Sequence, residues 1–156
     1  MHRGGAVFLQ GVTNITLSQL NFDQLEGNGV TFSNFVRDSE VSDCDFWRTG
    51  DSAVVALGST RLSNGTASEY PHLNRVERNY FDTVGVNMKQ TSCYFKAITY
   101  ANTVKDNICF QGPRAGLNWN DGFMVRLIFC ESIGGWLSGL LYVGRMNGCC
   151  LCRVGI

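Results

Sequence analysis

Proline is scarce in this 156-residue chain, with 2 against 18 glycines, and neither sign of charge is in excess, with 13 Lys and Arg against 13 Asp and Glu. The balance of charge gives no reason to expect nucleic acid or an acidic membrane as partner, since both select a basic surface. No apolar run reaches the ~20 residues of a membrane-spanning helix. The longest, residues 133–143, is interrupted by Gly134, Gly135 and Gly139. No secretory leader is expected in these residues, because Met1-His2-Arg3-Gly4-Gly5 runs straight into a strand pattern. Cys149-Cys150-Leu151-Cys152 lacks a second cysteine pair at zinc spacing and has no nearby histidine, so neither a metal nor a cofactor is expected. Seven cysteines, an odd number, argue against a complete disulfide framework. Cys44, Cys93 and Cys109 fall at inward positions, where free thiols act as small apolar side chains.

What the chain does have is a recurring unit. Val41, Cys44 and Phe46 are followed by a turn at Thr49-Gly50-Asp51 and a short strand from Ala53 to Ala56. Leu17, Leu20 and Phe22 repeat the order, as do Val76, Asn79 and Phe81, and then Val104, Asn107 and Cys109. The intervals are 24 residues from Leu20 to Cys44, 35 from Cys44 to Asn79 and 28 from Asn79 to Asn107. A period in the twenties built of β-rich pieces fits a parallel β-helix or a leucine-rich repeat, and leucines do not recur at the offsets the latter needs. The expected fold is therefore all-β: a right-handed parallel β-helix of four to five coils over residues 5–123, followed by an irregular tail or shortened coil over 124–156. Phe22, Phe46 and Phe81 are expected to form an inward aromatic ladder. Cys44, Asn79 and Asn107 are expected to form a small polar ladder at a bend. The longer intervals hold insertions at residues 58–73 and 86–91, the first a polar loop that contains His72.

Residues 107–123 (NICFQGPRAGLNWNDGF), with GDSA at 50–53 and KQTSCYFKA at 89–97, resemble right-handed parallel β-helix proteins of the pectin-lyase-like superfamily. The likeness is nearest to secreted "right handed beta helix domain" proteins, and it covers residues 5–123. It implies a polysaccharide lyase or glycoside hydrolase, or a relative that binds polysaccharide, and an extracellular parent protein. It also implies that the chain is part of a longer one. The region after Phe123 departs from the pattern: it holds no Asp and four of the seven cysteines. It reads either as a shortened coil, with Cys130 in the place of Phe81, or as a segment from an alternative exon or shifted frame. The second reading is favoured.

Alternation along one strand column places Thr31, Ser33, Val55, Leu57, Tyr94, Lys96, Asn118 and Asn120 outward. Asp51 and Arg114 precede this column at equivalent turns, Lys89 lies in the coil between, and Asp121 follows it. Such a face suits a glycan, and its cations favour an acidic polysaccharide over a neutral one. Arg114, Lys89 or Lys96 is placed to meet a uronate carboxylate. Asp51 and Asp121 are the carboxylate pair that a hydrolase requires, set at opposite ends of a strand. Catalytic roles are thus assigned to Asp51, Arg114 and Asp121. Substrate contacts are assigned to Lys89, Tyr94, Lys96, Asn118 and Asn120. Each has a plainer alternative: Asp51 and Asp121 as turn residues, Arg114 as a strut to Asp51, Lys89 as solvated. Trp47 is expected outward and Trp119 in the core. Asn14 and Asn64 match the N-glycosylation pattern. Three functions stay open: a carbohydrate-active enzyme, a non-catalytic extracellular recognition or structural solenoid, and an inactive truncated product.

Overall fold

The computed structural model describes residues 4–59, 69–123 and 126–132, and only the backbone of residues 119, 121–123 and 126–132. Among these residues the chain is all strand and turn, with no helix. The first coil comprises β1 (Gly5–Thr13), β2 (Thr16–Ser18) and β3 (Asn21–Asp23). The second comprises β4 (Asn28–Arg37), β5 (Glu40–Ser42) and β6 (Asp45–Trp47), and the third β7 (Val54–Leu57), β8 (Arg75–Glu77) and β9 (Tyr80–Asp82). In the fourth, β10 (Ser92–Tyr100) is followed by β11 (Thr103–Phe110), which runs unbroken through two strand positions. Then come β12 (Ala115–Phe123) and β13 (Arg126–Ser132). Every pairing is parallel and joins one coil to the next. One sheet runs β1-β4-β7-β10-β12; in the other, β11 joins the column β2-β5-β8 to the column β3-β6-β9. The result is a parallel β-solenoid of about four turns, as the repeat requires.

The corners repeat as strictly as the strands. Asn14, Asp38, Leu73 and Ala101 occupy equivalent corners and share the left-handed backbone conformation, with φ from 49° to 57°, or 47° for Asp38. So do Gln19, Asp43, Arg78 and Asp106 at the second corner, and Gln24, Arg48, Thr83 and Gln111 at the third. Such a backbone is unfavourable for residues other than Gly, Asn and Asp by roughly 1–2 kcal/mol. The corner N–H groups offset this by extending the inter-coil ladder, as in Asn14 N to Arg37 O at 3.0 Å and Arg48 N to Asp82 O at 3.0 Å.

Apolar columns fill the interior. The rings of Phe22 and Phe46 stack at 4.5 Å with planes 4° apart, and Phe46 and Phe81 follow at 5.0 Å. All three are buried, and each side chain of this kind contributes roughly 1.5–3 kcal/mol. Gly29 leaves room for the middle ring: a Cβ there would lie 2.7 Å from Phe46 and 2.6 Å from the Ala53 carbonyl. The polar ladder is present too. Asn79 accepts the Cys44 N–H at 3.0 Å, and Asn107 accepts the Asn79 N–H at 2.9 Å. A second ladder of the same design lies five residues upstream in each coil, at Ser39, Asn74 and Asn102. A third runs through Asn28, Ser52 and Ser92. These side chains satisfy backbone groups where the strands break, which buried N–H and C=O groups demand.

Two expectations are corrected. Cys93 and Cys109 are not free thiols: they form a disulfide across the interior, with Cα atoms 6.4 Å apart. Cys109 stands directly after Phe81 in the aromatic column, so the cystine continues that column toward the other sheet. Cys44 remains a free buried thiol, and burial raises its pKa. The second correction concerns β10. Its register puts Tyr94 beside Val54 and Lys96 beside Ala56, both core residues, so Tyr94 and Lys96 point inward while Phe95 and Ala97 point outward. Tyr94 is fully buried and its hydroxyl accepts from Asn102 at 3.4 Å. Lys96 is 3% exposed, and burial lowers its pKa to about 8.

Past Phe123, β13 continues the coil pattern, with Cys130 in register with Asn107 and Ser132 with Cys109. Cys130 thus extends the asparagine column and not, as one reading of the sequence has it, the phenylalanine column. Residues 133–156 lie outside the described residues.

Candidate functional site

The site is assembled at the turn between the third coil's long insertion-bearing half and the fourth coil's β10. Residues 85–91 fold back on the turn at Thr49-Gly50-Asp51. The Gly50 carbonyl accepts the N–H groups of Asn87 and Met88, both at 3.0 Å, and the Thr49 carbonyl accepts those of Gly85 and Val86 at 2.8 and 3.0 Å. Asn87 also donates its side-chain amide to the Glu26 carbonyl at 3.2 Å. Only glycine permits this approach: a Cβ on Gly50 would collide with the Glu26 carbonyl and come within 2.7 Å of the Asn87 amide. Gly85, at φ +74°, makes the reversal that starts the segment. Met88, Lys89 and Gln90 are held beside Asp51 as a consequence.

A groove of about 420 Å³ opens there, lined by Asp51, Lys89, Gln90, Arg114, Asn118 and Asn120, with Met88 and Phe95 as its apolar part. Asp51 is 5% exposed. Its Oδ1 accepts from the Ser52 N–H at 2.9 Å and the Ser52 hydroxyl at 3.4 Å. Lys89 and Gln90 are exposed, and Lys89 Nζ donates to the Val86 carbonyl at 3.4 Å. Arg114 donates to Gln90 Oε1 at 3.4 Å. Phe95 and Asn118 are register partners on the outward column, and Asn120 sits one step on, opposite Ala97.

The groove therefore gathers five of the eight residues assigned from sequence: Asp51, Lys89, Arg114, Asn118 and Asn120. Tyr94 and Lys96 are excluded, being inside the solenoid. The side chain of Asp121 lies outside the described residues, as do that of Trp119 and the whole of Asn64. The strut to Asp51, the plainer alternative for Arg114, is not formed; the guanidinium turns to Gln90 instead. Trp47 points outward as expected, and Asn14 is exposed. His72 is half-buried between the rings of Tyr70 and Tyr100, at 6.2 and 4.8 Å. Desolvation and then the nearby Arg37 lower its pKa.

Gln90 and Phe95 were missed in the sequence. Phe95 follows from the reversed alternation of β10. Gln90 neighbours Lys89 in an insertion, where no periodicity marks which side chain faces a groove. Chemically the groove offers two cations, three amides, one ring and one carboxylate among its described side chains. That carboxylate is engaged by Ser52, and among the described side chains no second one lines the groove to complete an acid–base pair. Among the described residues no group of three or more His, Cys, Asp or Glu side chains is placed to hold a metal ion. Comparison of the chain with protein-family models, with characterised proteins and with solved structures finds no match to any of them.

Proposed function

We propose that this solenoid is a carbohydrate-recognition module whose groove binds an acidic glycan without cleaving it. The observation that carries the reading is the convergence of Lys89, Arg114, Gln90, Asn118 and Asn120 around one groove with Phe95 at its base. Arginine offers a planar fork of donors that matches a carboxylate, and amides exchange hydrogen bonds with hydroxyls in both directions. Successive coils stand ~4.8 Å apart, so Asn118 lies one rung from Phe95, whose largely buried ring floors the groove along which an extended chain of sugars runs. Binding is preferred to catalysis because the described side chains supply one carboxylate where hydrolysis asks for two. A buried disulfide supports folding in an oxidising, extracellular compartment.

The test is calorimetric titration of the full chain with uronate-containing and with neutral oligosaccharides of equal length. The acidic oligomer should bind more tightly. Arg114→Ala and Lys89→Ala should each weaken it by about tenfold, the size of one lost charge-assisted contact. Equal affinity for both oligomers, or none for either, overturns the reading. Appearance of new reducing ends or unsaturated products during incubation overturns its non-catalytic part.

A further inference from the structure

The β3-β6-β9-β11 face carries a second pattern, on a different side of the solenoid from the groove. Asn21, Asp45, Tyr80 and Ile108 form one outward row across four coils; Asp23, Trp47, Asp82 and Phe110 form the next. Aromatic rings and carboxylates therefore alternate like a checkerboard. The rings connect diagonally, Trp47 to Tyr80 at 5.2 Å and Tyr80 to Phe110 at 5.5 Å. Trp47 and Ile108 are each 38% exposed. Asp23 is paired with Arg48 at 2.9 Å, but Asp45 and Asp82 have no cation within 4.0 Å among the described residues. Asp82 accepts the Thr83 hydroxyl at 2.9 Å and is hydrogen-bonded by the Tyr80 side chain as well.

We propose that this face binds a cationic oligosaccharide, a polymer of amino sugars, with its pyranose rings against Trp47, Tyr80 and Phe110 and its ammonium groups at Asp45 and Asp82. Three features of the face select this occupant. Trp47 is exposed and Tyr80 and Phe110 are half-buried beside it, and such a ring surface accepts the apolar C–H face of a sugar, which is hydrophobic packing with a polar rim. The two carboxylates without partner cations call for positive charge, and an ammonium beside a ring adds a cation–π term. The second and third coils each contribute one ring and one carboxylate, ~4.8 Å apart, so the recognising unit repeats and a repeating ligand matches it. A basic peptide fits less well. β6 and β9 are paired on both edges, so this face offers no free strand edge for a peptide backbone to join. Burial, then the charges of Asp82 and Asp45, and then a hydrogen bond to Asp82 raise the pKa of the Tyr80 hydroxyl, which stays neutral beside these carboxylates.

The experiment titrates the full chain with a glucosamine hexamer, an N-acetylglucosamine hexamer and a hexalysine peptide. The glucosamine hexamer should bind most tightly. Trp47→Ala and the pair Asp45→Asn with Asp82→Asn should each weaken it by about tenfold, while Arg114→Ala leaves it unchanged. Raising the salt from about 0.1 to about 1 M should weaken it as well, because the Debye length falls from ~10 to ~3 Å. Circular dichroism of each variant separates loss of binding from loss of fold. Three results overturn the proposal: binding of the acetylated hexamer as tightly as the free amine, tighter binding of the peptide than of either sugar, and equal affinity in the folded Trp47→Ala variant. Because Arg114→Ala affects the groove and not this face, failure here is distinct from failure there.

Discussion

Asn107 Oδ1 accepts two hydrogen bonds from a single residue: the backbone N–H of Asn79 at 2.9 Å and its side-chain amide at 3.0 Å. Asn79 in turn donates to the Val41 carbonyl at 3.0 Å and accepts the Cys44 N–H at 3.0 Å. One side chain thus ties together three coils. Asn79→Ala should leave the Cys44 N–H and the Val41 carbonyl buried without their partners, at about 1–3 kcal/mol for each unsatisfied group. Urea denaturation should show a loss of about 2–5 kcal/mol. Asn79→Asp should be no better, since a carboxylate cannot donate to Val41.

The cystine is open to a direct check. Peptide mapping without reductant should recover Cys93 linked to Cys109, whose sequence separation is 16. A crosslink closing a loop of that length constrains the unfolded chain by about 3 kcal/mol. Replacing both cysteines with alanine should lower stability by about 2–4 kcal/mol without changing the strand content seen by circular dichroism.

Lys96 predicts an unusual dependence on pH. Burial lowers its pKa in the folded state to about 8, whereas the unfolded chain keeps the ordinary value near 10.5. Between those values the unfolded chain binds the proton and the folded one does not, so stability rises with pH across that window. Below pH 8 both states are protonated and the slope vanishes. Relative to Lys96→Met, the parent chain should gain up to about 3 kcal/mol from pH 8 to 10.5. Guanidinium denaturation of both chains at intervals of half a pH unit measures the difference.

Gly50→Ala should act on the groove through the backbone. Its Cβ would meet the Glu26 carbonyl and the Asn87 amide, so residues 86–91 must move and carry Lys89 and Gln90 with them. A cost of about 1–3 kcal/mol is expected, as for other overpacked sites, along with weaker glycan binding. Lys89→Ala separates the two effects, because it should weaken binding at unchanged stability.

The fold was legible because the coil repeats its own residues. Phe22, Phe46 and Phe81 sit at the centre of three-residue strands with at least one carboxylate neighbour each, and they recur at the same place in the coil, so their inward direction follows from alternation and repeat. The Cys44, Asn79 and Asn107 column was legible for the same reason. Its twin at Ser39, Asn74 and Asn102 carried an equal signal, a constant five-residue offset, that was not used. β10 failed because Cys93 and Tyr94 both enter the core: the chain is still rounding the corner at Cys93, as it is at Ala53 beside Val54. Counting alternation from Cys93 therefore inverts the strand, and a lysine at an inward position goes against the ordinary preference of charge for water. The groove was legible in part because its Asn118 and Asn120 share a column with Thr31, Ser33, Val55 and Leu57, which point away from the solenoid interior, although these four are buried. The contribution of Gln90 was not, since it depends on how an aperiodic insertion folds.

The left-handed corners have a consequence for how such a chain changes length. Each corner residue donates its N–H to the carbonyl just before the equivalent corner of the next coil, so a residue added inside a coil shifts every later corner out of step with its neighbour. The long additions stand elsewhere: one falls between Ser59 and Glu69, whose backbones bond at 2.8 Å, and the other at residues 86–91, folded on the turn at Gly50. Length is thereby quantised: the molecule can gain or lose a full revolution, such as the 24 residues that separate Asn28 from Ser52, and every column still closes on itself. Excision of one revolution would shorten each outward row by a single rung, so the reach proposed for these rows along a polymer would be set by counting revolutions.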